Sequence, residues 1–452
     1  MLKCMHVHNT RYTPICYNNR TMQHLARFLK RSEDPGFTLI ELLVIIAILA
    51  VLAVAVVLVL NPAELLKQGR DSTRLSDLAS LNSALALLQT ELSGGEMGSS
   101  TVVYVSLLDP TAPFPQGSNC SSLGLPSLPS GWTYHCAASS SLTNIDGTGW
   151  IPVNFKRFSA GSPLGRLPLD PINTTSTGEY YTYVAGGSWE LNAILESQKY
   201  RQDSKVSKQN FPGVVAVGSD LNLSPLFNST GLVGYWKFDE GSGTTAYDSS
   251  SYGNTGTMFT SSTQSNLFLA SGCKIGSCAN FNGLNQNISV PANTGDELYL
   301  TNAVTLSAWV YYNGTGLNTP FVISKGWSDS YQLIISSNKA NLQIFKSGPS
   351  LCGNVLSLTT LQIGTWYYVV GTYDGQNAKI YINGTYESQA TCGFPMNPWG
   401  PNLKIGSNYY ANTDFVNYPA YWQMFKGRLD EVRIYNRALS DAEIKAIYDA
   451  TK

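Results

Sequence analysis

The side chains able to do chemistry are few in this 452-residue chain, and their positions are informative. Glu41 is a lone carboxylate at the entrance of an otherwise apolar run from Leu42 to Leu60. A carboxylate among lipid tails costs at least a few kcal/mol unless it is paired. Glu41 therefore needs either a cation or an interfacial place at a helix N-terminus, where the helix dipole favours it. Six cysteines fall in local pairs, Cys120 with Cys136, Cys273 with Cys278 and Cys352 with Cys392, which reads as disulfides in an exported segment. Trp399, Tyr409, Tyr410, Tyr421 and Trp422 crowd a stretch rich in Asn, Pro and Gly. Aromatics in such loops stack on sugar rings, anchor a protein partner, or pack the loop on its own sheet.

Catalysis is not expected. The acidic pairs Asp239-Glu240, Asp296-Glu297 and Asp430-Glu431 are adjacent in sequence, so on a regular strand the two members point to opposite faces and cannot share a substrate. Of 4 histidines, His6, His8 and His24 precede Gly36, leaving His135, too little for a serine triad or a histidine metal site. No Cys-x-x-Cys pair argues for zinc.

The elements that must hold these groups begin with the apolar run. Its roughly 19 residues at about 1.5 Å each span roughly 28 Å, enough to cross a bilayer core. Lys3, Arg11, Arg20, Arg27, Lys30 and Arg31 precede it, opposed by Glu33 and Asp34, which places the N-terminus in the cytoplasm and the residues after Asn61 outside. Ala53-Val54-Ala55 has the small-x-small form of a signal-peptidase site. The apolar run continues beyond it, however, and is longer than the 7 to 15 or so residues of a signal peptide. Beyond the run, Leu75, Leu78, Leu81, Leu85, Leu88 and Leu92 recur at helical spacing; Asn61-Pro62 should kink the helix and Ser93-Gly94-Gly95 end it. Residues 101–107, 132–137, 179–185 and 188–193 read as strands, the last two joined across Gly186-Gly187. Residues 201–230 read as a linker. From Gly231 onward, regular aromatic-rich strands predict a two-sheet sandwich, closed by a capping box at Ser440-Asp441-Ala442-Glu443.

Composition agrees. Only 13% of residues are charged and the formal charge is -1, so no basic surface points to nucleic acid. Removing the basic segment before Phe37 leaves an acidic remainder.

Gly36-Phe37-Thr38-Leu39-Ile40-Glu41, after a basic leader and before an apolar helix, resembles the processing motif of type IV prepilins and of type II secretion pseudopilins. The resemblance implies that a prepilin peptidase cuts after Gly36 and methylates Phe37. It also implies that Glu41 meets the Phe37 amine of a neighbouring pilin subunit in a filament. A leader of 36 residues is long for this family, and Met5 or Met22 offers an alternative start. Leu167-Pro168-Leu169-Asp170-Pro171-Ile172-Asn173 resembles the end of pseudopilin domains, where Asp170 and Asn173 are either calcium ligands or a plain Asp-Pro turn. Gly234-Tyr235-Trp236-Lys237-Phe238-Asp239-Glu240-Gly241, Thr305-Leu306-Ser307-Ala308-Trp309-Val310 and Leu429-Asp430-Glu431-Val432-Arg433-Ile434-Tyr435 resemble the laminin-G-like, concanavalin A-like jelly roll. That family implies a structural Ca²⁺ at Asp248, Asn254 and Asp430. The glucanases of this broad class carry a Glu-x-Asp-x-Glu strand, which is absent here.

The expected fold is therefore an α+β pilin, a long membrane-spanning helix packed on a small antiparallel sheet, joined to an all-β jelly-roll sandwich. Its segments are a leader (1–36), an assembly helix (37–92), a globular β domain (93–200), a linker (201–230) and the jelly roll (231–452). The expected role is a minor pilin or pilin-like surface subunit that displays a module for an extracellular glycan or protein. The alternatives are a secretion pseudopilin that binds cargo and an uncleaved, membrane-tethered lectin.

Overall fold

The computed structural model describes residues 38–452 except 92–96, 204, 260–266, 292–296, 315–318, 327–329, 347–350, 399–401 and 409–423. The chain divides into two units, Met1–Ala63 and Glu64–Lys452.

In the first unit, α1 (Leu39–Leu60) is a 22-residue helix, about 33 Å long at 1.5 Å per residue. Its side chains are described from Leu39 to Ala53, and those apolar residues are exposed. Among the described residues no helix is long and apolar enough to cross a membrane. Thr38 caps the helix reciprocally with Glu41: the Glu41 backbone N–H donates to Thr38 Oγ1, while the Glu41 carboxylate accepts from the Thr38 N–H and hydroxyl at 2.8 and 2.7 Å. Asn61, with φ 39°, ends the helix, and Pro62 starts the next, a position where its missing N–H is harmless.

The second unit opens with the rest of α2 (Pro62–Glu91), whose Leu78, Leu81, Ala84, Leu85 and Leu88 form one buried stripe at helical spacing. The stripe packs on a five-stranded sheet through Tyr183, Leu191 and Ala193. The strands are β1 (Val102–Asp109), β2 (Thr133–Ala138), β3 (Thr182–Ala185), β4 (Trp189–Ile194) and β5 (Val214–Gly218), in the order β2-β1-β3-β4-β5.

Two expectations are corrected here. The sheet is mixed, because β1 and β2 run parallel; a parallel pair needs a long crossover, and residues 110–132 supply it. The segment 201–230, read as a linker, contributes β5 and the buried Phe211, Leu226 and Phe227. The five-residue run Val214–Gly218, without polar alternation, is too short to outweigh the polar residues before it. The β3–β4 hairpin turns through Gly186, Gly187 and Ser188, with Gly187 at φ +80° where glycine is favoured.

The remaining strands form a sandwich of two eight-stranded sheets. The first holds β6 (Leu232–Trp236), β9 (Phe268–Leu269), β10 (Cys278–Asn282), β12 (Val304–Tyr312), β17 (Trp366–Tyr373), β18 (Asn377–Ile382), β19 (Thr385–Thr391) and β21 (Lys426–Tyr435). The second holds β7 (Thr245–Ala246), β8 (Gly256–Phe259), β11 (Asn287–Val290), β13 (Phe321–Lys325), β14 (Tyr331–Ser336), β15 (Lys339–Ile344), β16 (Val355–Leu356) and β20 (Leu403–Ile405). Leu306, Leu333, Leu342, Ile380 and Ile405 are among the side chains that fill the space between them.

The outer face of the first sheet is also covered. Tyr235, Trp309, Tyr368 and Tyr381 pack in one cluster with Val105, Ile194 and Phe227 of the smaller lobe, and with Ile444 and Ile447 of the terminal helix α4 (Asp441–Thr451). Trp309 donates its indole N–H to Thr451 at 2.9 Å and Tyr381 its hydroxyl to Asp441 at 2.8 Å. α3 (Gln198–Arg201) joins this seam through Arg201, which donates to the Asp449 carbonyl. The two lobes thus share a hydrophobic core in place of a flexible joint.

Candidate functional site

The second sandwich sheet turns one face to the core, and its other face is polar because side chains alternate along every strand. Register aligns these polar residues across strands: Thr257 lies opposite Ser289, Ser289 opposite Lys404, Lys404 opposite Ser324, Ser324 opposite Gln332, and Gln332 opposite Gln343. Gln343 then donates to Asn354 at 2.8 Å. The result is a ladder of hydroxyl and amide side chains with one ammonium, Lys404, at its centre, running perpendicular to the strands at a spacing of about 4.8 Å; Ser324, Gln332 and Lys404 are its buried members. That spacing is close to the rise of one hexose in an extended glycan.

At the β13–β16 end the ladder opens into a groove of about 320 Å³ lined by Phe321, Gln332, Ile334, Asn341, Gln343 and Asn354, among others. Asn341 donates to Asn354 at 3.1 Å, but its Oδ1 is buried without a partner. Amides that donate and accept beside Phe321 and Phe345 match the face of a sugar, with hydroxyls at the edge and C–H groups on the plane. Sequence reading missed this site: each amide is unremarkable alone, and only pairing register brings them together.

The sequence-selected residues are distributed differently. Gly36 and Phe37 lie outside the described residues, as do Trp399, Tyr409, Tyr410, Tyr421 and Trp422. Glu41 is engaged in its cap with Thr38. The three disulfides pair Cys120 with Cys136, Cys273 with Cys278 and Cys352 with Cys392.

Each of the calcium candidates has partners within the protein. Asp248 accepts from the backbone of Tyr235, Ser250 and Asn254 and from the Ser250 hydroxyl, which uses both its oxygens. Asn254 donates its amide to the Val233 carbonyl. Asp430 is separately buried, with Oδ2 on the Lys274 and Ile275 N–H groups. Among the described residues no group of three His, Cys, Asp or Glu side chains is placed to hold a metal ion. Asp170 is held by the Arg74 guanidinium at 2.6 and 2.9 Å, and Asn173 by Ser106, so this segment is a turn locked to α2.

The acidic pair Asp430-Glu431 departs from expectation. Glu431 has φ 55°, and the β12–β21 register slips beside it, so this bulge removes the strict alternation and both carboxylates are buried. Burial and the adjacent Glu431 push Asp430 well above the usual carboxylate range. Glu431 is paired with Arg433 and the Tyr235 hydroxyl. It lines a cleft of about 480 Å³ with Asp239, whose pKa burial also raises. His135 packs edge-on against Tyr104 at 5.2 Å, and burial lowers its pKa, as suits a neutral packing residue.

Comparison with known proteins gives two family matches. Residues 33–57 match the prokaryotic N-terminal methylation motif, and residues 282–445 match the concanavalin A-like lectin/glucanases superfamily. The chain therefore joins a prepilin-type N-terminus to a lectin-like jelly roll. No curated protein matches it.

Among solved structures, one similar chain is domain 4 of AbnA, an extracellular arabinanase from Geobacillus stearothermophilus, in complex with arabinotriose. It has 22% identity and TM-score 0.36, with 48% of this chain and 98% of that chain covered. A second is the binding domain of Paraclostridial Mosquitocidal Protein 1, with 14% identity and TM-score 0.38, covering 48% of this chain and 52% of that one. A third is the receptor binding domain of botulinum neurotoxin C/D mosaic serotype, with 12% identity and TM-score 0.36, covering 48% and 51%.

Proposed function

We propose that this chain is a pilin-type surface subunit whose jelly roll binds an extracellular glycan through the polar face of its second sheet, without catalysing a reaction. The observation that carries the reading is the cross-strand ladder ending in an amide-lined groove, with the buried Asn341 Oδ1 left for a ligand hydroxyl. A buried acceptor without a donor costs about 1 to 3 kcal/mol, which a sugar hydroxyl entering the groove would offset. The methylation motif supports an N-terminus cut after Gly36 by a prepilin peptidase and methylated at Phe37. In this reading α1 crosses the membrane before assembly, and Glu41 exchanges its Thr38 cap for the Phe37 amine of the next subunit. A module this bulky on every subunit would crowd a shaft, so it belongs at a minor or tip position that serves adhesion. The test is glycan-array binding of the detergent-solubilised chain. Gln343→Ala with Asn354→Ala should abolish binding while the melting curve stays intact; unchanged binding would refute the groove.

A further inference from the structure

The centre of the ladder holds a charge that no acid among the described residues neutralises. Lys404, on β20, is 1% exposed. Its ammonium donates to Ser289 Oγ at 2.9 Å and forms no ion pair among the described residues. The flanking strands supply no carboxylate: β11 reads Asn287-Ile288-Ser289-Val290 and β13 reads Phe321-Val322-Ile323-Ser324-Lys325. Lys325 sits opposite Leu403 in the register, one residue out of step with Lys404, and its ammonium lies over the Tyr299 ring at 4.3 Å. An uncompensated buried ammonium is expensive, and burial alone pushes this one down to about 8. Three other buried cations are each paired with acids: Arg74 with Asp71 and Asp170, Lys208 with Glu190, Arg433 with Glu431.

Its placement is functional in form. Lys404 stands two strands from Gln332, about 10 Å along the ladder from the groove. Its hydroxyl partner Ser289 is only partly buried, so the ammonium lies one hydrogen bond from a residue that reaches the surface. We propose that Lys404 is the anion-recognising residue of this face and that the ligand is an acidic glycan, with a uronate carboxylate or sulfate placed about two sugars from the units in the groove. The proposal rests on the glycan reading above and adds the charge of the ligand. An incoming carboxylate would supply the missing counter-charge and displace the Ser289 hydroxyl as acceptor.

The test uses the full chain in detergent on an array of matched pairs: polygalacturonate with its methyl ester, and chondroitin sulfate with its desulfated form. The wild type should prefer the acidic member of at least one pair tenfold or more; Lys404→Met should erase that preference and Lys404→Arg retain most of it. Lys404→Met also serves as its own folding control, because removing a buried charge should not lower the melting temperature. Equal binding of acidic and neutral members, or a preference that survives Lys404→Met, overturns the anion assignment and leaves the glycan reading standing. No binding to any member or to the wider array overturns both.

Discussion

Arg74 is the residue whose loss the structure prices most clearly. Its side chain is fully buried and meets three carboxylates: Asp170 through Nε and Nη2 at 2.6 and 2.9 Å, Asp71 at 2.8 Å and Glu196 at 2.6 Å. Burial opposes its charge, yet the three acids outweigh that, so its pKa is raised. In Arg74→Met the acids fare unequally. Asp71 keeps the Glu196 and Ser197 N–H groups and the Ser197 hydroxyl, and Glu196 keeps Arg70. Asp170 keeps the Ile172 and Asn173 N–H groups on Oδ1, while Oδ2 loses the Arg74 Nε–H, its only partner among the described residues. Breaking a buried pair in this way costs about 3 to 5 kcal/mol.

At about 2.1 cal/mol/K per residue, a unit the size of Glu64–Lys452 loses about 4 to 6 °C in Tm for that change. Arg74→Met with Asp170→Asn removes the stranded charge and should regain 1 kcal/mol or more, roughly the desolvation penalty of that group. Glu196 adds a pH signature. Burial raises its pKa, but the Arg70 and Arg74 hydrogen bonds lower it further, so the net shift is down from 4.5. Its contribution is present above that value and lost as pH falls through the lowered one. The wild type should therefore lose stability on acidification more steeply than Arg74→Met. Calorimetry from pH 3 to 7 reads both effects. A single-variant cost under 1 kcal/mol, or a double variant no better than the single, would show that the cluster does not bind α2 to the sheet.

Further outcomes follow from the same geometry. The Lys404 pKa falls from 10.5 to about 8 on folding. The folded state then binds fewer protons between those values, so stability should rise by about 3 kcal/mol as pH climbs through that window. Lys404→Met should flatten the rise, and a slope that persists would assign it elsewhere. Because both Asp248 oxygens already accept hydrogen bonds and Asn254 is tied to the Val233 carbonyl, chelation with EDTA should leave the melting temperature unchanged; a fall would restore the calcium expectation. Cys352 and Cys392 are 40 residues apart, and replacing both by Ser should cost about 4 kcal/mol by loop entropy, measured by denaturant unfolding. Mass spectrometry of the native protein should find a methylated Phe37 as its first residue, and an intact leader would favour a membrane tether over a filament.

What the sequence could disclose depended on how local the physics was. Local devices were legible. The Ser440 capping box is visible in four residues because it is made by four residues. The leucine stripe of α2 follows from a 3.6-residue period, and the cysteine pairs from proximity in the chain. Long-range register was not legible. Ser324, Gln332 and Gln343 become neighbours through pairings among β13, β14 and β15, and a one-residue slip in any of them would turn the row inward. β5 was hidden for a related reason: a short strand is held by its neighbour, and its pairing with β4 starts at Ile194 opposite Val214, far apart in the chain. Glu431 shows the limit most sharply. Opposite faces for adjacent acids is sound geometry on a regular strand, but the register slip at Trp309 admits an extra residue, and φ 55° at Glu431 cancels the rule at that position. Lys404 combines both cases. Its charge is plain in the sequence, whereas its isolation is a property of the two strands beside it, neither of which is adjacent in the chain. A buried charge is therefore informative when register, not local sequence, deprives it of a partner, because local selection at that position alone would readily have replaced it with an apolar residue.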